Sequence, residues 1–398
     1  MPAALVLARR SRHSLVLPVA VILAFSVLGA ATQVLEQRTD PTNDAGLTPL
    51  MNAASTGNVD VVRQLVAAGS ADIDARSPSG QTALAYAALY GFDAIVKLLA
   101  LGGASVDAGD IEGMTPLMGA VQQGRVDVAR TLIEAKANVQ AVDKHGVTVL
   151  MLASSAGHLG VVGLLIERGA NVDVRLPDGT TASTAAAFGG YADVLAALLE
   201  RGANVGATDA EGRTLLMAAA LSGRADAVEV LLRRGVAVDM VDKGGLTAMH
   251  YAIAKGFLDV AARLLKAGAR SGREDLMVAA ARHGQLSMVE GLLVQGIGPD
   301  AKNGRGEPAL MAAIEMQQRS VIELLLSRGA SINAADAEGR TPLMIAAAAG
   351  DLPLVTSLVE RGANVDAYDD AGRTGRLHAV KNGHEAIATF LAGRSRER

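Results

Sequence analysis

The 398-residue chain has no cysteine and no tryptophan. The first absence excludes disulfides, thiolate metal sites, a cysteine nucleophile and a lipid-modified N-terminal cysteine, and leaves the compartment open. Aromatics of any kind are scarce, with 5 Phe and 5 Tyr against a hydrophobic fraction of 50%. A globular core leans on large aromatics. A chain that is apolar through Ala, Leu, Val and Gly suits small helices stacked closely. A basic run is missing too. The formal net charge is −4, and without Arg9, Arg10 and Arg12 the balance is 34 basic against 41 acidic residues. That argues against nucleic acid as a partner. The basic tail 394–398, with Arg394, Arg396 and Arg398, is too short to change this and reads as a frayed end.

The N-terminus has three parts. Arg9, Arg10 and Arg12 precede an uncharged run from Leu15 to Ala31, and Gly29 and Ala31 stand at −3 and −1 of a cut before Thr32. This is the layout of a secretory signal over residues 1–31, followed by a linker over 32–42. An uncleaved signal anchor is the alternative, although the run of 17 residues is short for a bilayer and Pro18 interrupts it. Under either reading positive residues stay inside and the remainder is exported. The expected compartment is a periplasm, with contact to a membrane only through residues 1–31.

What the chain does have is a period. Glycines followed two residues later by Thr stand at Gly46, Gly80, Gly113, Gly146, Gly179, Gly212, Gly245, Gly339 and Gly372. The step from Gly80 to Gly245 is 33 each time; Gly306 keeps the frame with Pro308 in the Thr slot. Each unit reads as two short helices. The Thr is an N-cap and a following Pro suits the first helical position, as in Thr48-Pro49, Thr115-Pro116 and Thr341-Pro342. A second glycine such as Gly157 stops the first helix. Apolar residues at Val161, Val162, Leu165 and Ile166 put one stripe on the second helix. The recurrent Asp at 110, 143, 209, 242, 336 and 369 is expected to accept from backbone amides in a turn; one carboxylate per unit does not make a calcium site.

The copies DIEGMTPLMGAVQQGRVDVARTLIEAKANVQ from Asp110 and DAEGRTPLMIAAAAGDLPLVTSLVERGANVD from Asp336 resemble the ankyrin repeat, with its period of 33 and its TPLHxA signature. The resemblance spans residues 43–393. It implies an all-α solenoid of about eleven helix-turn-helix repeats with short β-hairpin fingers, stacked because no unit buries both its faces alone. The pattern has local departures. Lys136 replaces a closing Gly and Gln317 a mid-repeat Gly, so strained turns are expected there. The eighth repeat, 271–302, is shortened, which predicts a lost finger and a weak joint. Arg376 replaces Leu in the last repeat, as suits an outer end.

Only His250 keeps the signature His; Met51, Met118, Met151, Met217, Met311 and Met344 hold that slot elsewhere. Thioethers bind Cu(I), but copper needs two or three at one point, so filling the core is the first expectation. No zinc spacing, phosphate loop or nucleophile elbow occurs. No catalytic site, metal or cofactor is therefore expected. By the resemblance the chain binds one or more proteins, as a monomer, through finger tips and the exposed side of the first helices. The implied positions are Ile111, Glu112, Met114, Gln122, Gln123, Lys144, His145, Val147, Leu89, Tyr90, Phe188, Glu211 and Arg213. Tyr90 and Phe188 stand out because aromatics are rare and interfaces favour them; each is also able to pack on the next helix.

Overall fold

The computed structural model describes residues 46–69 and 71–395. The signal segment 1–31, the linker 32–42 and Arg396 and Arg398 of the tail lie outside the described residues. Among those described are twenty-two helices and no strand, and no helix is long and apolar enough to cross a membrane. The helices form two compact units that divide between Val236 and Ala237. That division falls between the sixth and seventh repeats.

In the first unit the first helices are Pro49–Thr56, Ala83–Tyr90, Pro116–Gln122, Val149–Ala156, Ala182–Gly189 and Leu215–Leu221. Each is followed by its second helix: Val59–Ala67, Asp93–Leu101, Val126–Glu134, Leu159–Glu167, Ala192–Glu200 and Ala225–Arg233. The second unit holds the pairs Ala248–Lys255 with Leu258–Lys266, Arg273–Arg282 with Leu286–Val294, Ala309–Glu315 with Arg319–Ser327, Pro342–Ala349 with Leu352–Glu360, and Gly375–Lys381 with Glu385–Ala392. Within each unit the first helices of successive repeats pack side by side. Pairs of seven to ten residues are too short to stand alone, so their stability comes from this packing.

The caps explain where the helices begin. Thr48 Oγ1 accepts from the Met51 amide at 3.3 Å, and Thr148 Oγ1 from the Met151 amide at 3.1 Å. The methionines of the signature slot are buried, none more than 2% exposed. Two of them also cap. Met217 Sδ accepts from the Thr214 amide and Met344 Sδ from the Thr341 amide, each at 3.4 Å. His250 Nδ1 does the same for the Thr247 amide at 3.1 Å. Methionine thus fills the core and supplies a weak acceptor where imidazole otherwise does.

On the second helix the buried stripe is Val161, Val162, Leu164 and Leu165, with Ile166 only half-buried. The first helices end over packed neighbours. A Cβ at Gly57 would meet the Phe92 ring at 2.7 Å, and one at Gly157 the Tyr191 ring at 2.3 Å. These glycines therefore seat the side chain that opens the next repeat's second helix, in addition to turning the chain.

The fingers are tight turns, with no strand among the described residues. Six are closed by the recurrent Asp, and Asn303 takes its place in the finger before Pro308. Asp143 Oδ1 accepts from His145 N at 2.8 Å and Val147 N at 2.9 Å, and Asp110 Oδ1 from Glu112 N and Met114 N, both at 2.9 Å. Pairing shrinks to isolated bridges such as Val142 with Thr148 and Tyr368 with Thr374. A second ladder joins the loops after the second helices: Ser105 N donates to Asp74 Oδ1 at 2.8 Å, Asn138 N to Asp107 Oδ1 at 2.9 Å and Asn204 N to Asp173 Oδ1 at 2.8 Å.

The departures behave as their chemistry requires. Lys136 and Gln317 are the non-glycine residues with left-handed backbone, at φ 73° and 54°, among the described residues. Lys136 is exposed, and a left-handed side-chain residue costs about 1–2 kcal/mol. Lys136→Gly is expected to raise the unfolding free energy by about 1 kcal/mol once glycine's extra unfolded-state freedom is subtracted, as read by urea titration. In repeat eight, residues 267–272 alone separate Lys266 from Arg273, where 135–148 separate Glu134 from Val149. No room is left for a finger, and Gly272 at φ 78° opens the helix directly.

Candidate functional site

All thirteen positions singled out from the sequence lie in the first unit. Two groups emerge. Ile111, Glu112, Lys144, His145 and Glu211 are exposed on fingers, with Ile111 at 53%. Leu89, Tyr90, Gln122 and Phe188 are half-buried on first helices, and Gln123 is exposed at the end of one. Met114 and Arg213 are half-buried in their fingers. Val147 is not available: it is 2% exposed, because its amide is tied to Asp143 and its side chain enters the core beneath the turn.

Backbone bonds join neighbouring finger tips in two groups, one from Ser79 to Lys144 and one from Asp178 to Ala210. Ile111 N donates to Ser79 O at 3.1 Å, Lys144 N to Glu112 O at 3.0 Å and Ala210 N to Asp178 O at 2.8 Å. Glu112, Lys144 and His145 are thereby brought together, with His145 Nε2 3.8 Å from Glu112 Oε2. Arg213 folds back onto its own finger, its Nε 2.5 Å from Asp209 Oδ2 and its Nη2 3.2 Å from Glu211 Oε2. Tyr90 leans on Phe92 with ring centroids 6.4 Å apart. The carbonyl of Gln122 bonds His158 Nε2 at 3.2 Å, and Ala348 O bonds His384 in the same way at 3.2 Å. Those histidines tie one repeat to the next. The sequence shows them only as polar residues beside a glycine.

The first-helix face has a register that residue type alone does not reveal. The seventh residue after each capping Thr is Ser55, Leu89, Gln122, Ser155, Phe188 or Leu221, and all six are half-buried. Ser55, Ser155 and Leu221 went unnoticed because nothing about them is rare. The signal that finds them is the constant offset from the cap.

The charged chemistry of the second unit is structural. Asp369 is 2% exposed and its Oδ2 receives His378 Nε2 at 2.9 Å and Arg373 Nη2 at 2.8 Å. Burial alone would raise this carboxyl. The Arg373 amide, the Arg373 guanidinium and His378 overcome that and hold it well below the usual carboxylate range. A carboxyl depressed in the folded state stabilises it above the unfolded value, near 3.9. That contribution is lost as pH falls through the folded value. The urea midpoint of the second unit is therefore expected to fall as pH drops below about 4, and Asp369→Asn to lower the midpoint at pH 7 and flatten the acid limb. No group of three or more His, Asp or Glu able to hold a metal occurs among the described residues.

The family model described as Ankyrin repeats (3 copies) matches residues 22–110, 96–176, 177–275 and 276–369. Among solved structures, the human ASB11 ankyrin repeat domain matches with a TM-score of 0.52 and 26% identity, over 56% of this chain and 99% of that one. The ankyrin repeat domain of Bcl-3, described as a unique member of the IkappaB protein family, matches with a TM-score of 0.48 and 28% identity, over 55% and 99%. No curated protein matches in sequence.

Proposed function

This chain belongs to the ankyrin-repeat family, and on that premise we propose that it is an exported scaffold that holds one or more partner proteins on the concave first-helix face of its repeats and carries out no catalysis itself. The observation that supports this reading is the combination of finger tips joined in two groups by backbone bonds and a half-buried first-helix strip beside them. Together they make a long surface fit for a polypeptide. Export rests on the sequence of residues 1–31, and a monomer is the expected state.

Crosslinking in the native compartment tests the reading. The wild-type chain is expected to capture a defined protein. The triple substitution Tyr90→Ala, Gln122→Ala, His145→Ala is expected to lower its recovery at least about tenfold, the scale of removing ~1.4 kcal/mol of contacts. Equal recovery from both chains sinks the reading. N-terminal sequencing of the mature protein separates a free scaffold, beginning at Thr32, from a membrane-anchored one that retains the apolar run. The methionine-copper alternative loses ground because the thioethers of the signature slot are buried and two accept backbone amides.

A further inference from the structure

The two units differ in one respect that bears on what they hold. None of the six first helices of the first unit contains a charged residue. Every second helix in the same unit contains at least one, from Asp60 and Arg63 to Asp226, Glu229 and Arg233. A first helix of this fold accommodates charge readily. In the second unit the equivalent register carries Arg282, Glu315 and Lys381, and Lys255 stands one position further on. Burial alone therefore does not explain the contrast, since Ser55, Leu89, Gln122, Ser155, Phe188 and Leu221 all keep part of their surface in water.

A surface without charge selects by exclusion. A partner segment carrying Asp, Glu, Lys or Arg would lose the hydration of that group on docking and find no opposite charge on these helices, since Arg125 and Arg224 stand only at the C-terminal ends of Ala83–Tyr90 and Ala182–Gly189; that loss is costly. Ser55, Gln122 and Ser155 offer hydroxyl and amide groups instead, and Leu89, Phe188 and Leu221 offer apolar contact. We propose that the first-helix strip of the first unit is the seat of an uncharged partner segment, apolar residues interspersed with Ser, Thr, Asn or Gln, bound without help from ion pairs. This rests on the scaffold reading above and narrows it to one unit and one class of partner. Six helices spaced about 9 Å apart extend roughly 45 Å, the length of about 14 extended residues.

The test uses the full chain against an immobilised library of random 15-residue peptides. The expected outcome is a bound set depleted of Asp, Glu, Lys and Arg relative to the library, with affinities changed less than about twofold between 50 and 500 mM NaCl. Charges of either sign placed on the strip give the sharper reading. Gln122→Glu, Gln122→Lys, Ser155→Glu and Ser155→Lys, each checked for an unchanged thermal midpoint, should all weaken binding at least about tenfold. Lys255→Glu in the second unit should leave it alone. A bound set rich in charged residues, or tightening by one sign of substitution and weakening by the other, overturns the inference while leaving the scaffold intact. So does the absence of any bound peptide, or capture by phosphatidylcholine vesicles in place of peptides. The native crosslinking experiment judges the scaffold separately.

Discussion

Gly179→Ala is expected to cost about 3–5 kcal/mol of stability, whereas Gly169→Ala, ten residues earlier, costs about 1 kcal/mol. Both glycines have left-handed backbone, at φ 85° and 86°, so the local cost of adding a side chain is the same, a net of about 1 kcal/mol once glycine's extra unfolded-state freedom is subtracted. Their surroundings differ. Nothing lies within 4 Å of a Cβ built on Gly169. A Cβ on Gly179 would stand 2.5 Å from Asp209 Cα, 2.8 Å from its carbonyl carbon and 2.9 Å from Ala210 N.

Those are backbone atoms, and they cannot swing aside. Asp209 is held by the amides of Glu211 and Arg213 at 3.0 and 2.8 Å and by Arg213 Nε, while Ala210 N is bonded to Asp178 O. Relief requires the two fingers to part. That adds an overpacking cost of about 1–3 kcal/mol and the finger bond, worth about 1 kcal/mol. Urea titration of both variants checks the ranking, and equal losses would show that the fingers slide freely over one another. Because Glu211 stands on the displaced finger, Gly179→Ala also moves part of the candidate surface.

The origin of this close approach also shows where the sequence stops speaking. The period of 33, the Thr caps and the Asp turns are local, and each is legible from residue type and offset. What a glycine faces one repeat away is not. Gly179 and Gly169 are both expected at turns, yet only the stacked fold puts a neighbouring backbone against one of them. The same holds for Gly157 beneath the Tyr191 ring. Fingers are legible as turns; six Asp side chains each take two amides, and pairing among the described residues is confined to isolated bridges. The deletion at repeat eight is legible as well, but what it does to the stack is not. Repeat eight loses its finger and still packs its first helix, Arg273–Arg282, beside Ala309–Glu315.

The exposure of the candidate positions is legible in outline. Rare aromatics and finger tips pointed to Tyr90, Phe188, Glu112 and His145, all of which keep exposed surface. Val147 failed because position in a finger does not fix depth: Val147 is buried beneath its turn, whereas Met114 and Arg213, in the same slot before a capping Thr, are half-buried. Arg213 reads as a free guanidinium in sequence, but its planar fork matches the two carboxylates of its own finger. The charge-free strip stayed hidden because an absence distributed over six helices is visible only when they are placed side by side.

Asp351 carries the second large effect. It is 9% exposed and opens the helix Leu352–Glu360, where its Oδ1 accepts from the Leu354 amide at 3.0 Å. Arg319, from the preceding repeat's second helix, places Nη2 2.7 Å from Oδ1 and 2.6 Å from Oδ2. One carboxylate therefore caps its own helix and ties it to its neighbour. Removing the cap costs about 0.5–2 kcal/mol. Losing the ion pair adds up to about 1 kcal/mol, since the Arg319 side chain is 54% exposed and water can rehydrate it. Asp351→Ala is thus expected to cost up to about 3 kcal/mol. Asp351→Asn keeps an equally good cap and should cost about 1 kcal/mol or less, as should Arg319→Ala. All three variants should become less sensitive to added salt than wild type, because each removes one charge of the pair, while the extra loss in Asp351→Ala persists at 1 M NaCl, where a Debye length near 3 Å screens the pair but not the cap. If Asp351→Asn costs as much as Asp351→Ala at high salt, the cap contributes nothing and the inter-repeat charge pair holds this helix end alone.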